Sequence, residues 1–250
     1  MPVWVEAGLW GLLGGAALVL GALVAWFLRV PQGLIASVMA FGSGVLISAV
    51  AFDLVAEAAD TGGLGPTAIG FLGGAVAYLG ANAVLARRGA RHRKRSGDQQ
   101  PSEDEQSGSG AAIAVGALLD GVPESVVLGL GLLSGGGVSV SVLAAVFISN
   151  VPEGLSSAAG MKRSGRPARY VFGIWGGIAV LSGLAALVGY LALGGAAPEL
   201  VAVITAVAAG AILTMVADTM IPEAFETTRT WTGLITAVGF LVAFAIERAG

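Results

Sequence analysis

The chain has 250 residues, of which 56% are hydrophobic and 12% charged, with a mean hydropathy of +0.85 and a formal net charge of −3. An ordinary soluble domain carries about 25% charged residues, so this chain has too little polar surface to cover a water-soluble fold, and its acidic balance argues against a nucleic-acid partner. Cysteine is absent, which excludes disulfides, thiolate metal ligands and dithiol redox motifs.

A bilayer core about 30 Å thick needs about 20 mostly apolar residues per spanning helix. Eight stretches qualify, in order Val5–Leu28, Leu34–Ala58, Leu64–Ala86, Ala111–Leu133, Val138–Gly160, Tyr170–Leu193, Leu200–Ile221 and Trp231–Ile246. The first has no basic segment before it, so it reads as a retained helix and not as a signal peptide. Between the stretches lie Arg29–Gly33, Thr61–Gly63, a polar run from Arg87 to Gly110, Ser134–Gly137, a basic run from Lys162 to Arg169, Gly194–Pro198 and Pro222–Thr230. These breaks carry the glycine, proline and charge that interrupt helices. The 40 glycines suit closely packed membrane helices. Trp4, Trp10, Trp26, Trp175 and Trp231 include several near span ends, as expected of interfacial anchors.

The expected fold is therefore an all-α integral membrane bundle of eight transmembrane helices. Residues 1–86 hold helices one to three, 87–110 a polar loop, 111–160 helices four and five, and 161–250 helices six to eight. Lys and Arg fall in alternate loops, with Arg248 the exception. The positive-inside rule makes those loops cytoplasmic and both termini external. Ser96–Gly110, with Asp98, Glu103, Asp104 and Glu105 among Ser, Gly and Gln, reads as a disordered cytoplasmic linker. The single histidine, His92, stands among basic residues and reads as solvated.

Two local repeats suggest internal symmetry. Span four contains Asp120-Gly121-Val122-Pro123-Glu124-Ser125, and span five Ser149-Asn150-Val151-Pro152-Glu153-Gly154. Span two runs from Gly44 to Glu57-Ala58 and span seven from Gly210 to Glu223-Ala224, with Asp53 and Asp218 shortly before the glutamates. On the expected topology the members of each pair run in opposite directions, the trace of an inverted repeat and hence of a transporter architecture.

Asp120 and Ser149 enter the membrane from opposite faces, and both are expected roughly 14–17 Å deep at 1.5 Å per residue. A carboxylate there costs several kcal/mol unless it meets a cation, water or a proton. Asp120 and Glu124 share one helix face, as do Ser149 and Glu153, with Asn150 beside them. Facing each other, the two helices would offer an oxygen-rich set suited to a divalent cation. Pro123 and Pro152 each remove a helical N–H, freeing the carbonyls of Leu119 and Ile148. Asp53 and Glu57 fall near the outer end of span two, and Asp218 and Glu223 near the cytoplasmic end of span seven. They read as an entrance and exit relay, with water-reached interfacial residues as the alternative. Asn82 in span three reads as interhelical glue outside the site.

Asn150-Val151-Pro152-Glu153-Gly154 on a fifth span, after a long loop, resembles the ZIP (ZRT/IRT-like) family of metal transporters. The resemblance extends to the paired motifs of spans four and five, to Gly44–Ala58 and to Asp218-Thr219-Met220-Ile221-Pro222-Glu223-Ala224. It implies a ZIP-like inverted-repeat bundle in the cell membrane that moves zinc or a related divalent ion toward the cytosol, often as a homodimer. It places Asp120, Glu124, Ser149, Asn150 and Glu153 on the metal ligands. Many members have histidine where this chain has Asp120 and Ser149. Span six also lacks the acid that helps hold a second ion in that family. Oxygen donors favour harder ions, so manganese or iron(II) is the alternative to zinc. No nucleophile–base pair is visible in the spans, so an enzyme is not expected and no resident cofactor is implied. A transport-inactive metal sensor or scaffold is the rival from another class.

Overall fold

The computed structural model describes residues 1–91, 93–94, 105, 109–133, 137 and 139–249. His92 lies outside them. So does most of the Ser96–Gly110 run, apart from Glu105, exposed in a turn, and Ser109 and Gly110, which open a helix.

All regular structure among the described residues is helical. The helices are α1 Val3–Phe27, α2 Gln32–Ala49, α3 Ala56–Gly62, α4 Leu64–Leu85, α5 Ser109–Leu130, α6 Val140–Arg163, α7 Ala168–Leu193, α8 Pro198–Met215, α9 Ile221–Thr228 and α10 Thr232–Ala249. Proline opens several of them, as Pro2, Pro31 and Pro167 at N-caps and Pro198 in a first turn. These are places where its missing N–H costs no helical bond. Among the described residues, seven helical stretches are long and apolar enough to cross a membrane. Their outward faces are bare hydrocarbon, including Ile69, Leu72, Val76, Val180, Val188 and Leu241. A soluble protein does not display apolar surface on that scale, and this is the build of a multi-pass membrane protein.

The seventh stretch, Pro198–Arg248, is 51 residues long. It is not one rod, because Arg229 leaves helical space at φ 46°, ψ −116°. Its first half packs on α4 and its last on α2. The break expected at Pro222–Thr230 falls later than the sequence suggests. Pro222 sits in the first turn of α9, which it tolerates, and the helix continues to Thr228.

Two π-helical turns interrupt these rods, at Val50–Val55 between α2 and α3 and at Val216–Met220 between α8 and α9. Each contains an aspartate, Asp53 or Asp218. Such insertions widen the helix locally and recur at functional sites.

Glycines set the helix contacts. A Cβ on Gly44 would lie 1.9 Å from the Thr236 carbonyl oxygen, and one on Gly239 2.1 Å from that of Phe41, so α2 and α10 meet backbone to backbone. Gly74 against Val207 O and Gly210 against Phe71 O, both 1.9 Å, do the same for α4 and α8. Gly21 and Gly154 bring α1 and α6 together. Without a hydrophobic drive between helices in lipid, such close approach is the main source of helix association.

The interior has two large apolar clusters. One gathers Met39, Val45, Leu128, Val146, Ile212 and Met215, and the other Leu18, Ile113, Leu155, Met161, Trp175 and Ile178. Trp175 is fully buried in the second, so it is a core residue and not an interfacial anchor. Along α5 and α6 the polar motifs fall between residues of one cluster and residues of the other. Apolar walls therefore flank the charged site on both sides.

Candidate cation site

Asp120 and Glu124 lie one turn apart on α5, and Ser149, Asn150 and Glu153 lie on α6. Both helices run on through Pro123 and Pro152. All five site residues are buried; Asp120, Glu124 and Glu153 are only 2%, 1% and 3% exposed.

Asp120 and Glu153 are brought to one point by a group the sequence reading left outside. Lys94 Nζ lies 2.8 Å from Glu153 Oε2 and 3.3 Å from Asp120 Oδ2. Arg93 stands beside it. Its Nε donates to Asp120 Oδ2 and its Nη2 to Asp120 Oδ1, both at 2.9 Å, in the forked pairing that guanidinium and carboxylate geometry favour. Tyr78 of α4 donates its hydroxyl to Asp120 Oδ1 at 2.5 Å and accepts from Arg93 Nη2 at 2.9 Å. Asn82 Oδ1 accepts from Arg93 Nη1 at 2.8 Å. Asn82 is thus part of the site's support, a correction to its reading as glue outside it.

The backbone explains how two loop cations reach this place. After α4, Arg88 leaves helical geometry and Gly89 takes φ 98°, a left-handed conformation that suits glycine at a helix end. The chain then folds back onto α5. The Ser156 hydroxyl donates to the Lys94 carbonyl and anchors the turn from α6. Arg93 and Lys94 are each only 3% exposed, so this part of the polar run is not the solvated loop expected from its charge. Burial disfavours the Lys94 ammonium, but Asp120 and Glu153 outweigh it and hold its pKa above the usual lysine range. Nothing in sequence spacing marks Arg93 and Lys94 apart from the neighbouring Arg87, Arg88, Arg91 and Arg95. Gly89 is the one local signal, since it provides the turn.

The remaining ligand candidates are placed differently. Among the described residues, neither oxygen of Glu124 has a hydrogen-bond partner. Asn150 donates its amide to the Gly14 carbonyl of α1 at 3.0 Å, and Ser149 donates to the Val146 carbonyl at 3.0 Å. No three His, Cys, Asp or Glu side chains among the described residues stand close enough together to enclose a metal ion.

The outlying acids divide. Asp53 and Glu57 line one cavity of about 370 Å³, together with Asp60, Glu247 and Val127 of α5. Ser139, the N-cap of α6, donates to Asp53 Oδ1 at 3.1 Å while accepting from the Val142 N–H at 3.3 Å. Val127 lies less than one turn beyond Glu124 on α5, although Glu124 itself does not line this acidic vestibule. Asp218 is exposed and Glu223 half-buried, and neither lines that cavity.

The chain matches no protein-family model and no curated protein.

Proposed function

We infer that the protein is a carrier of a divalent metal cation, with zinc as first substrate and manganese or iron(II) as the alternative. One observation carries this reading: carboxylates from two different helices converge on a single buried cationic position, the Lys94 ammonium, with a third buried carboxylate, Glu124, one turn along α5 from Asp120. A site that holds an ammonium between Asp120 and Glu153 has the charge and the oxygen donors a hard or borderline metal requires. The ligands on this reading are Asp120, Glu124 and Glu153, with Ser149 and Asn150 as neutral donors.

The architecture of the proposal is ZIP-like. Pro198–Arg248 crosses twice, making eight passes, with the basic loops cytoplasmic and both termini external. Several features support an internal repeat. The starts of α1, α2 and α4 at Val3, Gln32 and Leu64 recur at nearly constant interval in α7, α8 and α10, at Ala168, Pro198 and Thr232. The π turns Val50–Val55 and Val216–Met220 follow α2 and α8 at corresponding places. Gly44 and Gly74 correspond to Gly210 and Gly239, each against a carbonyl. Metal would enter through the Asp53–Glu57 vestibule and leave toward the cytosol past the end of α8, where Asp218 stands.

The test is flux into liposomes holding the purified protein, with zinc, manganese, iron(II), cadmium and magnesium offered in turn. Saturable uptake that Glu153→Ala abolishes is expected. Binding without flux favours the second reading, a transport-inactive sensor or scaffold. One observation supports that rival: Arg93 and Lys94 already satisfy Asp120 and Glu153 from within the chain.

A further inference from the structure

We propose that Lys94 is a tethered substitute for the transported cation, which the metal must displace to bind, and that Arg93 holds the tether in its seat. This rests on the carrier reading and adds a regulatory element to it.

Three independent features show a seat shaped for these two side chains. The first is charge. Lys94 Nζ lies between Asp120 and Glu153, where a metal bridging α5 and α6 would need to be. The second is the number of fixed partners. Arg93 is held by Asp120, Tyr78 and Asn82, and the Lys94 carbonyl by Ser156, so four neighbouring helical residues position the segment. The third is space. Gly116 lies one turn before Asp120 on α5, and a Cβ there would stand 2.5 Å from Arg93 Cδ and 3.0 Å from Nε. Only a hydrogen at position 116 lets the guanidinium lie along α5.

A closed metal-free site follows. Asp120 and Glu153 keep a positive charge beside them without any ion from solution, so the empty carrier does not bury two unpaired anions. A metal gains its ligands only in the fraction of molecules whose tether has left, and its apparent affinity falls by that fraction. Glu124 is the one carboxylate of the three that neither tethered cation holds, so it is the first contact for an arriving ion. The device sets a concentration threshold for loading from inside the chain itself.

The wild-type protein provides a direct test. It has two lysines, Lys94 and the exposed Lys162. Amine labelling read by mass spectrometry, with and without zinc chloride and with manganese chloride in parallel, follows each separately. Saturating metal is expected to speed Lys94 labelling about tenfold or more, with Lys162 unchanged. Two variants act from different directions. Lys94→Met removes the competing charge, and Gly116→Val fills the seat of Arg93 with every charge kept. Both are expected to tighten zinc binding in micelles by about tenfold. If zinc binds and is carried while Lys94 stays protected and both variants keep the wild-type affinity, the tether is a structural ion pair and the proposal falls, with the carrier reading intact. If wild type and both variants neither bind nor carry any of the metals, the carrier reading itself is lost and the tether with it.

Discussion

Arg93 grips Asp120 through two parallel hydrogen bonds of 2.9 Å, from Nε and Nη2 to the two carboxylate oxygens, in a place where both side chains are almost completely buried. Removing one partner of such a pair leaves a buried, uncompensated charge. Asp120→Asn and Arg93→Met are each expected to cost about 3–5 kcal/mol, and the double variant much less than the sum. Reversible unfolding in mixed micelles measures the cycle, and additive single effects would show that the pair is not coupled.

Glu124 behaves differently because nothing among the described residues bonds to it. Glu124→Met removes two orphaned buried oxygens at nearly constant volume and is expected to raise stability by about 1–3 kcal/mol. The same change is expected to abolish metal flux in liposomes. A destabilised Glu124→Met protein would mean that Glu124 has a partner that matters to folding.

The glycine contacts predict steep packing effects. Gly44→Leu or Gly210→Leu would push a side chain into the Thr236 or Phe71 backbone and force α2 from α10, or α4 from α8. Losses of about 3 kcal/mol or more are expected, at the upper end for overpacked cores. Gly73→Ala, with no atom within 4 Å of its Cβ, is expected to cost nothing measurable. Thermal shift of the detergent-solubilised proteins distinguishes the two classes.

Asp53, Glu57 and Asp60 share a cavity whose lining includes Val127, less than one turn beyond Glu124 on α5. Their summed negative charge concentrates cations at the mouth by long-range attraction, an effect that salt screens. Neutralising all three as Asp53→Asn, Glu57→Gln and Asp60→Asn is expected to raise the half-saturating metal concentration about tenfold, leave the maximal rate nearly unchanged and flatten the salt dependence of uptake. A fall in maximal rate alone would place these residues in the translocation step instead.

Much was legible from the order of residues alone. Apolar runs of about 20 residues, the prolines and glycines between them and the sparse charge determined an all-helical membrane chain and most of the helix starts to within a few residues, because in lipid the backbone can satisfy its polar groups only within such helices. The paired Val-Pro-Glu motifs likewise marked the buried carboxylates, since acids are too costly inside a bundle to be there by accident. Tertiary structure alone decided what those carboxylates meet. Arg93 and Lys94 read as two more cations in a basic run, and only the left-handed turn at Gly89, the space over Gly116 and the hydroxyls of Tyr78 and Ser156 bring them into the site. Such a pairing joins residues far apart in the chain through packing of α4, α5 and α6, and neither spacing nor composition encodes which of several equivalent basic side chains finds the seat.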